Sequence, residues 1–293
     1  MSRNELEREL EKTGFAYLDL ETRELKAVSG ALDQIKGIPE YCRAFNYLLS
    51  VTKRLDECGL SSDYAFIGGY AVFCHIFSIL GPNSIRRWRG SADLDLLAKR
   101  KDVSSVLGTH FEEVETLPSH FENKSSLLVR DLLELTKENI PEEPLKIDFY
   151  SAINGKDMRL DGQTLNGSLW DRTEVVDVLG FKIRVLGLYD LLKLKLNIKT
   201  DINNLPRPRD ITDIYNLIGI ADRKGLKAKS LFETLNEAQR ETLFKLLNIY
   251  HTYEASEELL IRPETSFTSE FREIFQEELE KAEKESKITQ EAL

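Results

Sequence analysis

The sequence predicts an α+β fold, a mixed sheet flanked by helices and followed by a helical C-terminal half. Three observations lead there. Short runs with period-two alternation, such as Ser91–Ala98 (SADLDLLA) and Pro144–Ser151 (PLKIDFYS), fall between Asp63 and Val185. An apolar stretch of helical length, Tyr70–Leu80, stands among them. Beyond Gly187 the pattern is helical throughout.

Residues 1–38 are polar and mixed in charge, and a helical N-terminal appendage is expected there. A better helix opens at Pro39, a residue suited to a first turn, and runs through Phe45, Leu48, Leu49 and Leu55 to Gly59. Asp63–Ile67 reads as a short strand that runs into Gly68-Gly69. Tyr70–Leu80 then reads as a buried helix stopped by Gly81-Pro82. The basic loop Arg86-Arg87-Trp88-Arg89-Gly90 leads into the strand Ser91–Ala98. Farther on, Pro144–Ser151 is a strand with Ile147 and Phe149 facing one way, and Val175–Leu179 with Phe181–Val185 flank Gly180 as a hairpin. Asp161-Gly162 and Asn166-Gly167 read as turns. Helices are expected over Leu188–Lys199, Arg209–Ile218, about Asn236 to Ala255 and about Ser269 to Ser286, with Thr200–Pro208 as a loop. The boundary near Leu186–Gly187 divides an α/β domain with its appendage (1–186) from a helical domain (187–293).

Composition narrows the function classes. The 293 residues carry a net charge of −10, with 41% hydrophobic and 31% charged residues, the profile of a packed globular protein. An acidic balance argues against indiscriminate coating of nucleic acid, which needs a net basic field. The segment Glu264–Leu293 holds nine acids against four bases, half of that net charge, and reads as a solvated helix face. Met1–Glu11 is strongly charged without an apolar signal-peptide core, and no window approaches the ~18 apolar residues of a membrane span. Cys42, Cys58 and Cys74 lack metal or redox spacing and read as buried, reduced thiols. A cytoplasmic protein without membrane contact is expected. The histidines (His75, His110, His120, His251) are scattered without ligand spacing, and His75 reads as a core residue.

Asp93-Leu94-Asp95 is the sharpest local feature. On a strand, Asp93 and Asp95 share one face while Leu94 and Leu96 take the other. Two carboxylates this close repel unless a common cation relieves them, and Mg²⁺ is commonly held by one or two carboxylates plus substrate phosphates. The bland alternative is a solvent-facing polar edge strand. Gly68-Gly69 sits between a strand and a helix, where backbone N–H groups and the positive helix end receive phosphate; a tight turn explains the pair equally well. A third acid, Asp148, points away from Ile147 and Phe149. Should its strand pair beside Ser91–Ala98, three carboxylates converge, as a phosphoryl-transfer site with two metals requires.

Gly68-Gly69-Tyr70-Ala71-Val72 followed by Arg89-Gly90-Ser91-Ala92-Asp93-Leu94-Asp95 resembles motif I of the minimal nucleotidyltransferase fold in the AbiEii-type (MenT-like) toxins. Leu192–Leu196 (LKLKL) is similar to the family helix that carries a motif II lysine, and Arg207–Asp213 to its basic-Asp-x-x-Asp segment. The pieces occur in family order from about Ala65 to Ile218. The resemblance implies a nucleotidyltransferase-fold mixed sheet in which Asp93 and Asp95 hold Mg²⁺ (or Mn²⁺) and Asp148 is the third acid and general base. It implies that Gly68 and Gly69 cradle the NTP triphosphate, with Arg89 and Ser91 contributed by the same motif. Lys195 would neutralise the γ- or β-phosphate, with Lys193 as the competing choice. Asp210 would be the motif IV acid, supported by Asp213. Gly69 stands where related enzymes commonly have serine, and Arg209 where lysine is usual.

The implied activity is transfer of an NMP from an NTP to an acceptor hydroxyl, with tRNA as the expected acceptor. The implied role is the toxin of a toxin–antitoxin or phage-defence pair, with a cognate antitoxin as partner. An antibiotic-type small-molecule nucleotidyltransferase and a non-catalytic nucleotide-binding module are the alternatives. Arg86, Arg87 and Arg89 serve either an RNA backbone or an ordinary solvated loop. Tyr70 either stacks on a base or belongs to the core.

Overall fold

The computed structural model describes residues 17–18, 25–26, 40–84, 87–88, 90–91, 93–100, 102–112, 114–117, 124–129, 145–151, 158–160, 163–165, 168–198, 205–252, 254 and 259–291. The chain adopts the expected α+β class. It divides into two compact units, Met1–Leu160 with Thr164–Gly187, and Asp161–Gln163 with Leu188–Leu293.

In the N-terminal region β1 (Tyr17–Leu18) and β2 (Leu25–Lys26) are extended and pair antiparallel, so these residues are strand where helix is expected. Each backbone finds its partner across the pair rather than along a helix. The rest of the expected appendage lies outside the described residues. The first long helix, α1 (Glu40–Glu57), starts one residue after Pro39 and ends before Gly59, whose φ of 69° no helix accommodates. Then come β3 (Tyr64–Ile67), α2 (Gly68–Leu80) and β4 (Asp93–Ala98). α2 stops at Gly81, φ 61°, ahead of Pro82.

A short helix α3 (Val103–Gly108) and strands β5 (Val114–Leu117) and β6 (Lys124–Val129) follow, none of them expected. β7 (Leu145–Ser151) realises the expected strand, followed by β8 (Met158–Leu160), β9 (Gln163–Leu165) and the single turn α4 (Ser168–Asp171). β10 (Thr173–Val178) and β11 (Phe181–Leu186) form the hairpin. Leu179 belongs to its turn rather than its strand. Leu179 and Gly180 both have positive φ, 54° and 88°, the requirement of a two-residue type I′ connection.

Seven strands make the main sheet, in the order β10-β11-β3-β4-β7-β6-β5. β4 lies at the centre, antiparallel to β3 and parallel to β7. Leu94, Leu96, Ile147 and Phe149 project from one face of the central strands, none more than 2% exposed. α2 is apolar on nearly every side and buries Tyr70 through Phe77. Phe73 stacks on Trp88 at 4.3 Å, and Tyr70 meets the same indole edge-on at 5.2 Å. Tyr70 is therefore core. His75 is fully buried as well, its Nε2 bonded to the Leu186 carbonyl at 2.9 Å. Cys74 is buried, whereas Cys58 is half-buried, a correction to the expectation for it.

The second unit contains α5 (Leu188–Asn197), α6 (Pro208–Arg223), α7 (Ala228–Glu233), α8 (Glu237–Asn248) and α9 (Thr265–Glu291). α8 opens on a capping box between Asn236 and Gln239, which satisfies two orphan donors at once. It ends near Asn248, short of Ala255, and a 3₁₀ turn follows over Tyr250–Thr252. The Tyr215 hydroxyl donates to the Leu246 carbonyl at 2.5 Å, and the chain continues into the tighter turn. α7, only six residues long, is too short to leave a helical period in the sequence.

Candidate active site

The acids are brought together by strand register. β4 and β7 run parallel with Asp93 beside Lys146, Asp95 beside Asp148 and Leu97 beside Tyr150. On the far side of β7, β6 sets Ser126 beside Asp148 and Lys124 beside Tyr150. Alternation then places Asp93, Asp95, Lys124, Ser126, Lys146, Asp148 and Tyr150 on one face of the sheet. The pairing that would align Asp148 with the Asp93-Leu94-Asp95 strand is thus present.

Asp95 sits at the strand–helix turn. Gly68 has φ 64°, a left-handed conformation that favours glycine, and a Cβ there would collide with Asp95 Oδ2. The carboxylate packs directly against the backbone where α2 begins. Ile67 gives that helix no side-chain cap, so an acid stands at the positive end of 13 aligned residues. The Tyr150 hydroxyl lies 3.5 Å from Asp95 Oδ1, at the outer limit of a hydrogen bond. Gly69 is buried in the first turn. Ser91 is half-buried and its carbonyl accepts from the Tyr70 hydroxyl at 3.3 Å. Arg87 is exposed beside the buried Trp88, while Arg86 and Arg89 lie outside the described residues.

Asp148 is 3% exposed and fully engaged. Its Oδ1 accepts from Ser126 Oγ at 2.5 Å, and its Oδ2 faces Lys146 Nζ at 2.9 Å and Lys124 Nζ at 2.8 Å. Burial pushes this carboxyl up, but the hydrogen bonds from Lys124, Ser126 and Lys146 outweigh it and hold the group below its ordinary range. Lys146 moves the other way: its bond to Asp148 raises it, against a smaller effect of burial, with Asp93 and Asp95 adding to the rise. Sequence reasoning missed Lys124, Ser126 and Lys146. Lys146 was findable, lying two residues before Asp148 and hence on the same strand face. Lys124 and Ser126 were not, because β6 carried no signal of its own.

Among the described residues no three His, Cys, Asp or Glu side chains form a metal-binding group. Asp93 and Asp95 nonetheless offer a hard-oxygen pair on one strand face, both half-buried. That donor set suits a divalent ion completed by phosphate oxygens. Asp148 is its neighbour in register, with Oδ2 on two ammonium groups and Oδ1 on the Ser126 hydroxyl.

In the second unit, Lys195 lies between two carboxylates, 2.7 Å from Asp210 Oδ1 and 2.8 Å from Asp213 Oδ2. Asp210 and Asp213 are one turn apart on α6, and Arg207 Nε reaches Asp210 Oδ2 at 2.6 Å. Lys195 and Asp210 are 5% and 1% exposed. Burial alone would lower the Lys195 ammonium, yet Asp213 and Asp210 raise it. Asp210 is raised by burial and lowered further by Lys195 and Arg207. Lys193, two positions and about 200° around the helix, is more exposed and 3.8 Å from Asp190. Arg209 is exposed.

Neither a protein-family model nor a curated protein sequence matches the chain. Among solved structures it is similar to JHP933 from Helicobacter pylori, at 16% identity over 87% of this chain and 100% of that one, with a TM-score of 0.46. An antigenic nucleotidyltransferase-like protein from Paracoccidioides brasiliensis aligns at 16% identity over 77% of this chain and 96% of that one, TM-score 0.45. The antibiotic-resistance factor ANT(2'')-Ia aligns at 13% identity over 73% of this chain and 99% of that one, TM-score 0.44. No described helix is long and apolar enough to cross a membrane.

Proposed function

We propose that this chain is a divalent-metal-dependent nucleotidyltransferase that moves an NMP from an NTP to an acceptor hydroxyl. One observation carries the reading. Asp95 is seated on the Gly68 turn at the start of α2, with Asp93 on the same strand face and Asp148 beside it on the parallel neighbour. Acids at a phosphate-receiving helix terminus are what the reaction needs.

Asp93 and Asp95 would hold Mg²⁺ or Mn²⁺, with Asp148 as the third acid; the bound ion would polarise the α-phosphate and ease loss of the acceptor's proton. Gly68 and Gly69 let backbone approach the phosphates, and the helix end favours their charge. The acceptor oxygen would attack the α-phosphorus as the bond to pyrophosphate breaks, and Asp148 would take the hydroxyl proton. Its ammonium partners make Asp148 a weak base as it stands, so that role requires those contacts to loosen. Arg89 and Ser91 are assigned to the nucleotide from the motif. Lys195, Asp210 and Asp213 are assigned to it on the same ground. A phosphate contact by Lys195 requires its ammonium to leave two carboxylates.

The acceptor we propose is tRNA, and the role that of a toxin in a toxin–antitoxin or phage-defence pair with a cognate antitoxin; both rest on the family resemblance. The exposed Arg87 supports a polyanionic acceptor. The lysine-rich stretch Lys182–Lys199 supports it less, since Lys182 is tied to Asp177 at 2.6 Å and Lys195 is buried. Incubation with each α-phosphate-labelled NTP, Mg²⁺ and either total tRNA or an aminoglycoside tests both levels. Label is expected in tRNA, reduced at least about a hundredfold by Asp93→Ala or Asp95→Ala without a change in melting temperature. Label in the aminoglycoside would replace the acceptor. Unchanged labelling in both variants would overturn the mechanism.

A further inference from the structure

The two lysines on Asp148 take no part in the transfer chemistry itself. They come from β6 and β7, share the sheet face of Asp93 and Asp95, and converge on one carboxylate oxygen, 2.8 Å and 2.9 Å away. Their side chains are 24% and 40% exposed, so solvent reaches both while Asp148 itself is buried. Lys124 also lies over the Tyr150 ring, 5.0 Å from its centroid.

An ammonium pair and a divalent ion do not share a carboxylate without mutual repulsion. A lysine moves easily, because its point charge rides on a flexible four-carbon stem. Resting on the function proposed above, we propose that Lys124 and Lys146 are exchangeable counter-cations of Asp148 that become an anion seat. They neutralise the carboxylate while the metal is absent. When the metal engages the acids, the two ammonium groups turn to the nucleotide phosphates. Permanent bracing of Asp148 makes the opposite demand on metal affinity, since removing a brace would disorder a ligand.

Calorimetry on the whole chain separates the two, with Mn²⁺ alone and then pyrophosphate added to the Mn²⁺-saturated chain as probes. Lys124→Gln and Lys146→Gln should each tighten Mn²⁺ binding roughly two- to fivefold and weaken pyrophosphate by a similar factor. Mn²⁺ affinity that is unchanged or weaker in both variants would overturn the exchange. Mn²⁺ binding to the parent chain that Asp93→Asn abolishes shows that the underlying metal reading stands even where the lysine variants fail. Absence of any Asp93-dependent Mn²⁺ binding would overturn both. Should Lys124→Gln not fold, Lys146→Gln, on the more exposed lysine, decides alone.

Discussion

Asp95 Oδ2 occupies the space where a side chain at Gly68 would begin. A strand from the centre of the sheet and the first residue of a helix are locked together there, and neither can change without the other. The contact ties the acid's position to the presence of glycine at one backbone position with φ 64°.

Gly68→Ala is expected to combine a left-handed-backbone penalty with displacement of the carboxylate. Gly225 supplies the control, with φ 69° and nothing within 4 Å of a Cβ placed there. Gly225→Ala should cost about 1 kcal/mol by urea unfolding and leave nucleotide labelling intact. Gly68→Ala should cost more, about 2–4 kcal/mol, and lose labelling. Equal costs and equal activities would contradict the contact.

Lys195→Met removes the cation shared by two buried carboxylates, and at neutral pH a loss of about 3–5 kcal/mol is expected. The pH dependence follows from Asp210, whose carboxyl is held low in the folded chain. Its stabilisation is present above the unfolded carboxylate range, about pH 4, and is lost as pH falls through the folded value. The gap between parent and variant should therefore narrow steadily below about pH 4. Lys195 is raised, so its own contribution is fully present below the unfolded lysine range and fades only at strongly alkaline pH. Urea unfolding across pH reads the difference directly; a gap independent of pH would exclude the ion cluster as its source.

Trp88 stands in the basic loop yet is 3% exposed, stacked on Phe73. Trp88→Ala should cost about 3–5 kcal/mol from the emptied volume and lost ring contacts. Trp88→Phe should recover most of that in thermal or denaturant unfolding. A surface-like loss of under about 0.5 kcal/mol would show that the loop is not anchored there.

The sequence alone determined the elements whose signal is local. Alternation in Asp93–Ala98, the apolar run after Gly68 and the hairpin around Gly180 each act through neighbours a few residues away. For the same reason Asp93 and Asp95 could be placed on one face before any fold was known. Tertiary structure decided what lies beside them. β6 is six residues long with no strong alternation, and its registry with β7 sets Lys124 and Ser126 upon Asp148. Lys146 needed only a strand's period of two, but its ammonium partner on Asp148 came from 22 residues away. Likewise the spacing of Asp210 and Asp213 was readable, whereas their closure on Lys195 required two helices to pack. Covalent neighbours set which face a side chain takes; long-range pairing sets which charges meet across that face, and so whether a carboxylate is left for a metal or already holds a cation.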